Sequence, residues 1–344
     1  MKNKIRLAVA LAVLTPAASA QLIVPSSQSR IVDARASVNL APYTVDQSSA
    51  PDYAPFTYAA MASQQGAGGL LQSSATASQT STIGPDSIEA VGIADANTVS
   101  ALTDSAGRAS CVVDFTVSQA VRYRAFGTIE SDLTGYSGFM LSGESFVTGT
   151  GSDFHIRQDA QFGESFPFDY SGVLPAGTYR FYASAVATGQ DGNLTGQGEA
   201  SFDVRLELTA ASSTDCIPAN NSMGEPAVLS TLRRPSPTLF TLDVTGGVPG
   251  EFGLMIYGQP RPPMPLGDGL LCVGQPLVRF PVVQSFGVAG TISSFLSTSS
   301  SPFNSGPGAI NFGSTWSFQF WYRDSAAQQA GFNLSNVLSV TFVP

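Results

Sequence analysis

Histidine, cysteine and lysine are scarce in this 344-residue chain, which has one histidine and three cysteines and carries lysine only at Lys2 and Lys4. The lone histidine, His155, cannot build the zinc sites that use two or three histidines. No G-x-S-x-G elbow accompanies it, so a serine triad has no supporting motif. We therefore predict no catalytic residue, and we expect His155 to be a surface residue in a polar loop.

Long apolar runs are also missing, since no stretch approaches the roughly 20 residues that cross a bilayer. The one clear apolar run covers residues 7–14, with three basic residues before it and small residues at 18–20. This is the pattern of a cleaved secretory signal peptide. We predict a signal peptide over residues 1–20, no membrane insertion after its cleavage, no anchor at either end, and export to the periplasm, cell surface or extracellular space.

Basic residues are few once that segment is removed. Three of the 16 lysines and arginines lie within residues 1–20, so 13 remain, all arginine, against 25 acidic residues, for a net charge of −12. An acidic surface repels phosphate backbones and anionic lipids. We expect no nucleic-acid partner and interpret the acidity as a source of solubility.

The residues that dominate instead are strand and turn formers. Glycine, serine, threonine, valine and phenylalanine are abundant, whereas the helix formers lysine, glutamate and leucine are sparse. Apolar and polar residues alternate over 201–208 and 178–185, which predicts strands with one buried face. The predicted buried residues are Phe202, Val204, Leu206 and Leu208 in the first run and Tyr179, Phe181, Ala183 and Ala185 in the second. Further alternating runs lie near residues 30–38, 71–83, 87–94, 109–117, 121–129 and 137–147.

Short strands at this spacing are typical of a β-sandwich or jelly roll. We predict an all-β fold with two antiparallel β-sandwich domains, jelly-roll or immunoglobulin-like, in tandem after the signal peptide. The predicted domains are residues 21–209 and 215–344, joined by a small polar linker at 210–214. Residues 58–65 have helix-friendly side chains, but three glycines follow within 66–69, so we expect a strand or loop there.

The three cysteines differ in their surroundings. Cys111 shares a face with Val113, Phe115 and Val117, so we predict a buried, unreactive thiol. Cys216 and Cys272 both lie beside turn residues in the second predicted domain, and a disulfide between them is the preferred pairing in an oxidising compartment. It would close a loop of about 57 residues and contribute about 4 kcal/mol on the chain-entropy account.

The second predicted domain also carries a specific pattern, which consists of the segments 216–224, 253–258, 265–274, 318–324 and 331–336. In this order they resemble an uncharacterised C-terminal β module of secreted, often multidomain proteins of environmental bacteria. The resemblance spans residues 215–344 and implies an all-β domain with one cysteine at its start and another after its Gly-Asp-Gly segment. It implies no catalytic residues. The first domain resembles only loosely the jelly-roll-like regions of bacterial surface and exopolysaccharide-associated proteins.

Both tryptophans lie in residues 314–324, STWSFQFWYRD. Strand alternation turns Trp316, Phe318, Phe320 and Tyr322 to one face, which we predict to be core, and Gln319, Trp321 and Arg323 to a polar face. An exposed Trp321 would stack on a sugar ring while Arg323 and Asp324 bind its hydroxyls, so these three are the predicted ligand-binding residues. The alternative is that residues 331–335 or Arg323 itself cover the indole.

Two segments, 190–193 and 267–269, are candidates for structural calcium because they supply oxygen ligands. Both contain Asp-Gly or Gly-Asp pairs, which favour turns, and neither completes a known calcium loop. We therefore expect no cofactor and no metal site.

These observations favour an exported, non-catalytic surface or matrix protein, structural or adhesive, whose partners are polysaccharide or other surface proteins. The alternative is a polysaccharide-acting hydrolase or lyase, since its carboxylates need no sequence motif. A third hypothesis is an assembly subunit that polymerises through edge strands.

Overall fold

Alternating polar and apolar residues determine this fold, because a strand turns successive side chains to opposite faces. The computed structural model describes residues 21–39, 41–100, 102–132, 134–143, 155–161, 163–189, 196–211, 215–233, 240–327 and 330–342. Most of these residues are in β-strands, and their helical content consists of two short 3₁₀ turns at Ala67–Gly69 and Gly306–Gly308. The predicted all-β fold is confirmed. No helix in this part of the chain has the length and apolar character needed to cross a bilayer, and the predicted signal peptide lies outside the described residues.

The strands are β1 (Val24–Val38), β2 (Thr44–Ser49), β3 (Phe56–Gln65), β4 (Gln72–Ile83), β5 (Ser87–Thr98), β6 (Thr103–Val117), β7 (Val121–Ser131), β8 (Gly135–Gly143), β9 (His155–Gln161), β10 (Glu164–Leu174), β11 (Gly177–Thr188), β12 (Gly196–Ala210), β13 (Val228–Arg233), β14 (Phe240–Thr245), β15 (Phe252–Gly258), β16 (Pro260–Leu266), β17 (Gly269–Val273), β18 (Val278–Arg279), β19 (Gln284–Ser285), β20 (Ile292–Leu296), β21 (Thr315–Arg323), β22 (Phe332–Leu334) and β23 (Leu338–Thr341).

Two large sheets pack face to face as a β-sandwich around a hydrophobic core. Sheet I has the order β2-β1-β6-β11-β8-β9-β13-β14-β20. Sheet II has the order β18-β15-β21-β23-β10-β7-β12-β5-β4-β3, with β19 paired to β15 and β22 paired to β21. Strands β16 and β17 form a separate hairpin. Among the described strands, neighbours are antiparallel except β9 and β13, which are parallel.

Strands from both sides of the predicted linker share these sheets. Tyr170 of β10 lies opposite Val340 of β23, and Ile156 of β9 lies opposite Thr231 of β13. One core cluster contains buried residues from both parts of the chain. Strand β12 continues to Ala210, and residues 212–214 lie outside the described chain. The division into two domains at residues 210–214 stays a prediction.

The buried faces agree with the alternation in the sequence. Exposed fractions are 1%, 1%, 0% and 2% for Phe202, Val204, Leu206 and Leu208, and 5%, 0%, 0% and 0% for Tyr179, Phe181, Ala183 and Ala185. Residues 58–65 belong to β3, as expected, and the other predicted runs fall within strands. Residues 144–147 at the end of one run lie outside the described chain.

Small residues allow the two sheets to approach closely. A Cβ on Gly107 of β6 would lie 2.5 Å from the carbonyl oxygen of Thr76 and 2.8 Å from that of Asp95, both in the facing sheet. Only glycine permits such backbone proximity. Gly107 is therefore needed for the close packing of the two sheets.

Cys111 and Arg30 are among the polar groups buried inside this end of the sandwich. The Cys111 thiol is free and buried, as predicted, and its burial raises its pKa to about 12. Arg30 is fully buried and donates hydrogen bonds to Ser81 Oγ, Gln28 Oε1 and the carbonyl of Asp52. Burial lowers the pKa of Arg30, although the guanidinium stays charged.

Candidate functional site

The tryptophan-bearing segment forms β21, with β15 on one side and β22 and β23 on the other. Trp316, Phe318, Phe320 and Tyr322 are exposed by 4%, 0%, 0% and 0%. Tyr257 of β15 stacks on Phe318 with ring centroids 5.6 Å apart. The prediction that this face is core is confirmed.

The opposite face of β21 is covered at Gln319, although the sequence pattern is polar there. Gln319 is fully buried. Its amide nitrogen donates to the carbonyl oxygens of Leu270 and Ser335, each at 2.7 Å, and its amide oxygen accepts from the Cys272 N–H at 3.0 Å. The prediction that Gln319 lies on a polar face was therefore wrong, because the β16–β17 hairpin lies over it.

A disulfide fixes that hairpin to the rest of the fold. Cys216 and Cys272 are bonded, with their Cα atoms 6.1 Å apart, inside the usual range for a disulfide. The predicted pairing is confirmed. It ties the segment before β13 to β17, next to the face that carries Gln319.

Trp321 is half-buried and lies in an apolar setting. Its ring centroid is 5.6 Å from that of Phe332, and Leu334 lies directly opposite it on β22. The alternative that residues 331–335 cover the indole thus holds in part. The remaining indole surface lines a cavity of about 230 Å³, which we call the leucine cavity. It is lined by Leu254, Ile256, Leu266, Leu271, Leu277, Arg279 and Trp321.

The two other predicted ligand-binding residues, Arg323 and Asp324, differ in their burial. Arg323 is exposed, opposite Phe332. Asp324 is fully buried, and its carboxylate accepts a 2.8 Å hydrogen bond from the Ser222 N–H. Asp324 therefore fixes the chain before β13, and we correct its assignment as a surface ligand contact. Ligand binding by Trp321 and Arg323 stays a prediction.

A second constellation, which we did not identify from the sequence, lies on the outer face of sheet I. It surrounds a cavity of about 220 Å³ that we call the tyrosine cleft. Strand register assembles it, because Met140 of β8 lies opposite both Arg157 of β9 and Tyr182 of β11. The lining residues are Tyr136, Phe139, Met140, Arg157, Asp159 and Tyr182.

Hydrogen bonds organise the cleft around one carboxylate. The Tyr136 hydroxyl donates to Asp159 Oδ1 at 2.6 Å, and Arg157 Nε donates to Asp159 Oδ2 at 2.7 Å. Gly138 lies between them, where a Cβ would be 2.6 Å from the Tyr136 hydroxyl and 3.1 Å from Asp159 Oδ1. The absence of a side chain at Gly138 therefore lets Tyr136 fold over the strand and reach Asp159.

The electrostatics of the cleft keep its phenol and its guanidinium protonated. Burial, and then the hydrogen bond to Asp159, raise the pKa of Tyr136 well above its ordinary value. Burial alone would lower the pKa of Arg157, but its contacts with Asp159 raise it overall. Tyr136 and Arg157 therefore donate hydrogen bonds in the cleft, and Asp159 accepts them.

His155 is not the surface residue that we expected. It begins β9 directly opposite Ser142, and it is exposed by only 7%. It also influences Asp243 of β14, whose pKa is raised by burial but lowered in part by a hydrogen bond from Ser293 and by His155. The expectation failed because residues 151–157 contain polar side chains that resemble a loop, whereas the structure pairs residue 155 within sheet I.

The structure describes only one of the two candidate calcium segments. Residues 190–193 lie outside the described chain. Asp268 accepts a 3.0 Å hydrogen bond from the Ala330 N–H, which is a structural contact beside the β16–β17 turn. Within the described residues, no group of three or more histidine, cysteine, aspartate or glutamate side chains is arranged to hold a metal ion.

Comparisons with known proteins do not identify a family for this chain. No family model matches the chain, and no curated protein matches it. Among solved structures, a Bacteroides uniformis β-glucuronidase 2 bound covalently to cyclophellitol-6-carboxylate aziridine is 13% identical, with a TM-score of 0.21. A second Bacteroides uniformis β-glucuronidase structure is 11% identical, with a TM-score of 0.20. Each match covers 69% of this chain but only 26% of the other. Similarity at this level carries no argument about function and assigns no enzymatic activity.

Proposed function

We propose that this protein is exported and acts as a non-catalytic surface or matrix component that binds a neutral polysaccharide in the tyrosine cleft. One observation carries the proposal: Tyr136 and Tyr182 line the same cavity as the Arg157–Asp159 ion pair, on the outer face of sheet I. The Arg157 and Asp159 side chains are 47% and 32% exposed, so a ligand can reach both.

The chemistry of the cleft matches a sugar ring. Tyrosine offers an apolar ring face and a polar tip, which suits the C–H face and the hydroxyls of a pyranose. Arg157 donates and Asp159 accepts hydrogen bonds, and bonds to charged groups are the stronger ones. Because the two charges offset each other and the chain without residues 1–20 carries −12, we favour a neutral polymer over an anionic one.

Proton chemistry is disfavoured in the cleft. A lyase that used Tyr136 as its base would need the phenol to lose its proton near neutral pH, but burial and Asp159 hold its pKa well above the ordinary value. A glycosidase uses a pair of carboxylates, and Asp159 is the one carboxylate among the described residues that line the cleft. Both points support binding without cleavage.

The proposal that the protein is exported is supported by two independent features. Residues 1–20 have the pattern of a secretory signal peptide, and the Cys216–Cys272 disulfide fits an extracellular or periplasmic setting. Fractionation of the native producing cells, with detection of the mature amino terminus, tests this part. A chain that retains residues 1–20 in the cytoplasm would contradict it.

The binding proposal is tested by retention of the intact protein on a panel of neutral and acidic polysaccharides. We expect retention by at least one neutral polymer and unchanged length of that polymer after prolonged incubation. Failure to bind any member of the panel would contradict the proposal, and so would depolymerisation of the retained polymer.

A hydrolase is the second candidate, because four carboxylates border one cavity at the ends of β7, β10 and β12. The cavity has a volume of about 260 Å³, and its acidic residues are Glu130, Asp132, Glu164 and Glu199. Paired carboxylates of this kind can act as acid and base. Release of reducing ends from a polysaccharide, abolished by Glu199→Gln or Glu164→Gln, would establish this function over binding alone.

A further inference from the structure

The leucine cavity has a chemistry unlike that of the tyrosine cleft. Its floor is formed by Leu254 and Ile256 of β15 and by Trp321 of β21, on the outer face of sheet II. Leu266 of β16 and Leu271 of β17 form a wall. These five side chains are largely apolar, with the indole N–H of Trp321 as their one hydrogen-bond donor, so this part of the cavity is poorly suited to the hydroxyls of a sugar.

Covalent and hydrogen-bonded contacts hold this cavity open. The Cys216–Cys272 disulfide anchors β17 next to Leu271, and Gln319 holds the carbonyl of Leu270 at 2.7 Å. Ile256 and Leu271 are exposed by only 5% and 6%. The walls are therefore fixed before any ligand arrives, which reduces the entropy lost on binding.

One charged side chain lies at this apolar cavity. Arg279 is exposed and lies opposite Ile256 in the register of β15 and β18. It forms no ion pair within the described residues. A guanidinium without a carboxylate partner, next to an apolar cavity, complements a ligand that has an apolar body and an anionic end.

We propose that the leucine cavity binds a small amphiphile with an unbranched alkyl chain and a carboxylate. The volume of about 230 Å³ corresponds to about seven or eight heavy atoms if each occupies about 30 Å³, the share of a water molecule. The seven carbons beyond the carboxylate of octanoate match this volume. The alkyl chain lies against Trp321 and the leucines, and the carboxylate pairs with Arg279.

Trp321 reports on this binding. In the Trp316→Phe variant of the intact protein it is the only indole, and titration with sodium octanoate below its micellar concentration is expected to change its emission saturably. Neutral 1-octanol is expected to bind roughly tenfold more weakly, because it lacks the charge-assisted contact. Saturation-transfer NMR of octanoate with the unmodified protein gives the same test if Trp316→Phe impairs folding.

Three variants separate this site from nonspecific binding. Arg279→Gln is expected to reduce octanoate affinity to that of 1-octanol, and Leu266→Trp, which fills the mouth of the cavity, is expected to abolish binding of both. Leu102→Trp adds an indole at an exposed leucine elsewhere and is expected to leave binding unchanged, with saturation-transfer NMR as the readout. No saturable response to octanoate, or equal responses in all variants, would overturn the proposal.

The alkyl carboxylate is either a soluble short-chain acid or a long-chain fatty acid held in a bilayer, and vesicles of phosphatidylcholine that contain oleic acid distinguish these sources. We expect octanoate to bind and these vesicles to leave the protein in the supernatant after sedimentation, because the cavity holds only a short chain. Sedimentation with vesicles in the absence of any octanoate response would overturn the proposal.

Discussion

The hydroxyl of Tyr136 donates a 2.6 Å hydrogen bond to the carboxylate of Asp159, across a position where glycine leaves room for it. The same carboxylate accepts from Arg157 at 2.7 Å. The cleft residues lie on three neighbouring strands of sheet I, β11, β8 and β9. The hydrogen-bond network therefore joins side chains from two of these strands on the outer face of the sheet. The proposed polysaccharide site depends on this network.

The carboxylate of Asp159 is expected to be required for polysaccharide binding. Asp159→Asn keeps the shape of the side chain but removes the charge that Arg157 and Tyr136 contact. Because a hydrogen bond to a charged group contributes about 1.5–3 kcal/mol, affinity should fall roughly tenfold or more. Isothermal titration with a polymer retained by the protein measures the loss.

Asp169→Asn is the matched control, since Asp169 forms a comparable ion pair with Arg124 outside the cleft. Exposed pairs contribute little to stability, so both variants should unfold at similar temperatures. Equal affinity of Asp159→Asn and the unmodified protein would remove Asp159 from the site.

Gly138 is expected to position Tyr136. In Gly138→Ala the new Cβ, 2.6 Å from the tyrosine hydroxyl, displaces the phenol from Asp159, and polysaccharide affinity should fall while the fold is kept. Gly177→Ala is the control, because its Cβ would have ordinary contacts at 3.7 Å or more. The thermal midpoint and binding isotherm of both variants are to be compared, and undiminished binding by Gly138→Ala would contradict this role.

Cys111 is expected to make stability depend on alkaline pH. Its pKa is raised from 9.0 to about 12, so above about pH 9 the unfolded chain loses a proton that the folded chain keeps. The unfolding free energy should then fall by up to about 1.4 kcal/mol per pH unit between about pH 9 and 12 from this group alone. Below pH 9 its contribution is constant.

Denaturant titrations of Cys111→Ala and the unmodified protein at several pH values measure this effect. Buried tyrosines titrate with the same sign, but they are common to both proteins, so the difference in slope isolates Cys111. Identical slopes for the two proteins would contradict the prediction.

Arg30 is expected to stabilise the fold from inside the sandwich. Arg30→Ala removes a fully buried side chain that contacts Gln28, Ser81 and the carbonyl of Asp52, and leaves those acceptors without their donor. The loss should be about 3 kcal/mol or more. Urea unfolding measures it, and Arg35→Ala, which breaks an ion pair with a 51% exposed arginine, should change stability by less than about 1 kcal/mol.

The sequence predicts individual strands well because alternation is a local property with period two. Phe202 and Tyr179 are buried as expected, and the aromatic face of β21 is core. The tyrosine cleft could not be predicted in the same way. Tyr136, Asp159 and Tyr182 lie on β8, β9 and β11 and become neighbours only through long-range register.

Elements that cover the face of a sheet are a second feature that the sequence pattern does not predict. Gln319 looks exposed in the alternation of β21, but the β16–β17 hairpin buries it. Asp324 directly follows β21, and its buried carboxylate accepts a hydrogen bond from the Ser222 N–H. Period-two patterns assign a face to each side chain and do not tell whether a hairpin lies over that face. The predicted Cys216–Cys272 pairing tied the two segments together, and residues 331–335 were considered as a cover for Trp321.

The most direct test of the account is calorimetric titration of Tyr182→Ala and Tyr53→Ala with a neutral polysaccharide that the intact protein retains. Tyr53 is an exposed tyrosine between β2 and β3 and does not line the cleft. We expect Tyr182→Ala to lose about tenfold or more in affinity, through the lost aromatic surface, and Tyr53→Ala to bind like the unmodified protein. Full affinity in Tyr182→Ala would contradict the tyrosine cleft as the binding site.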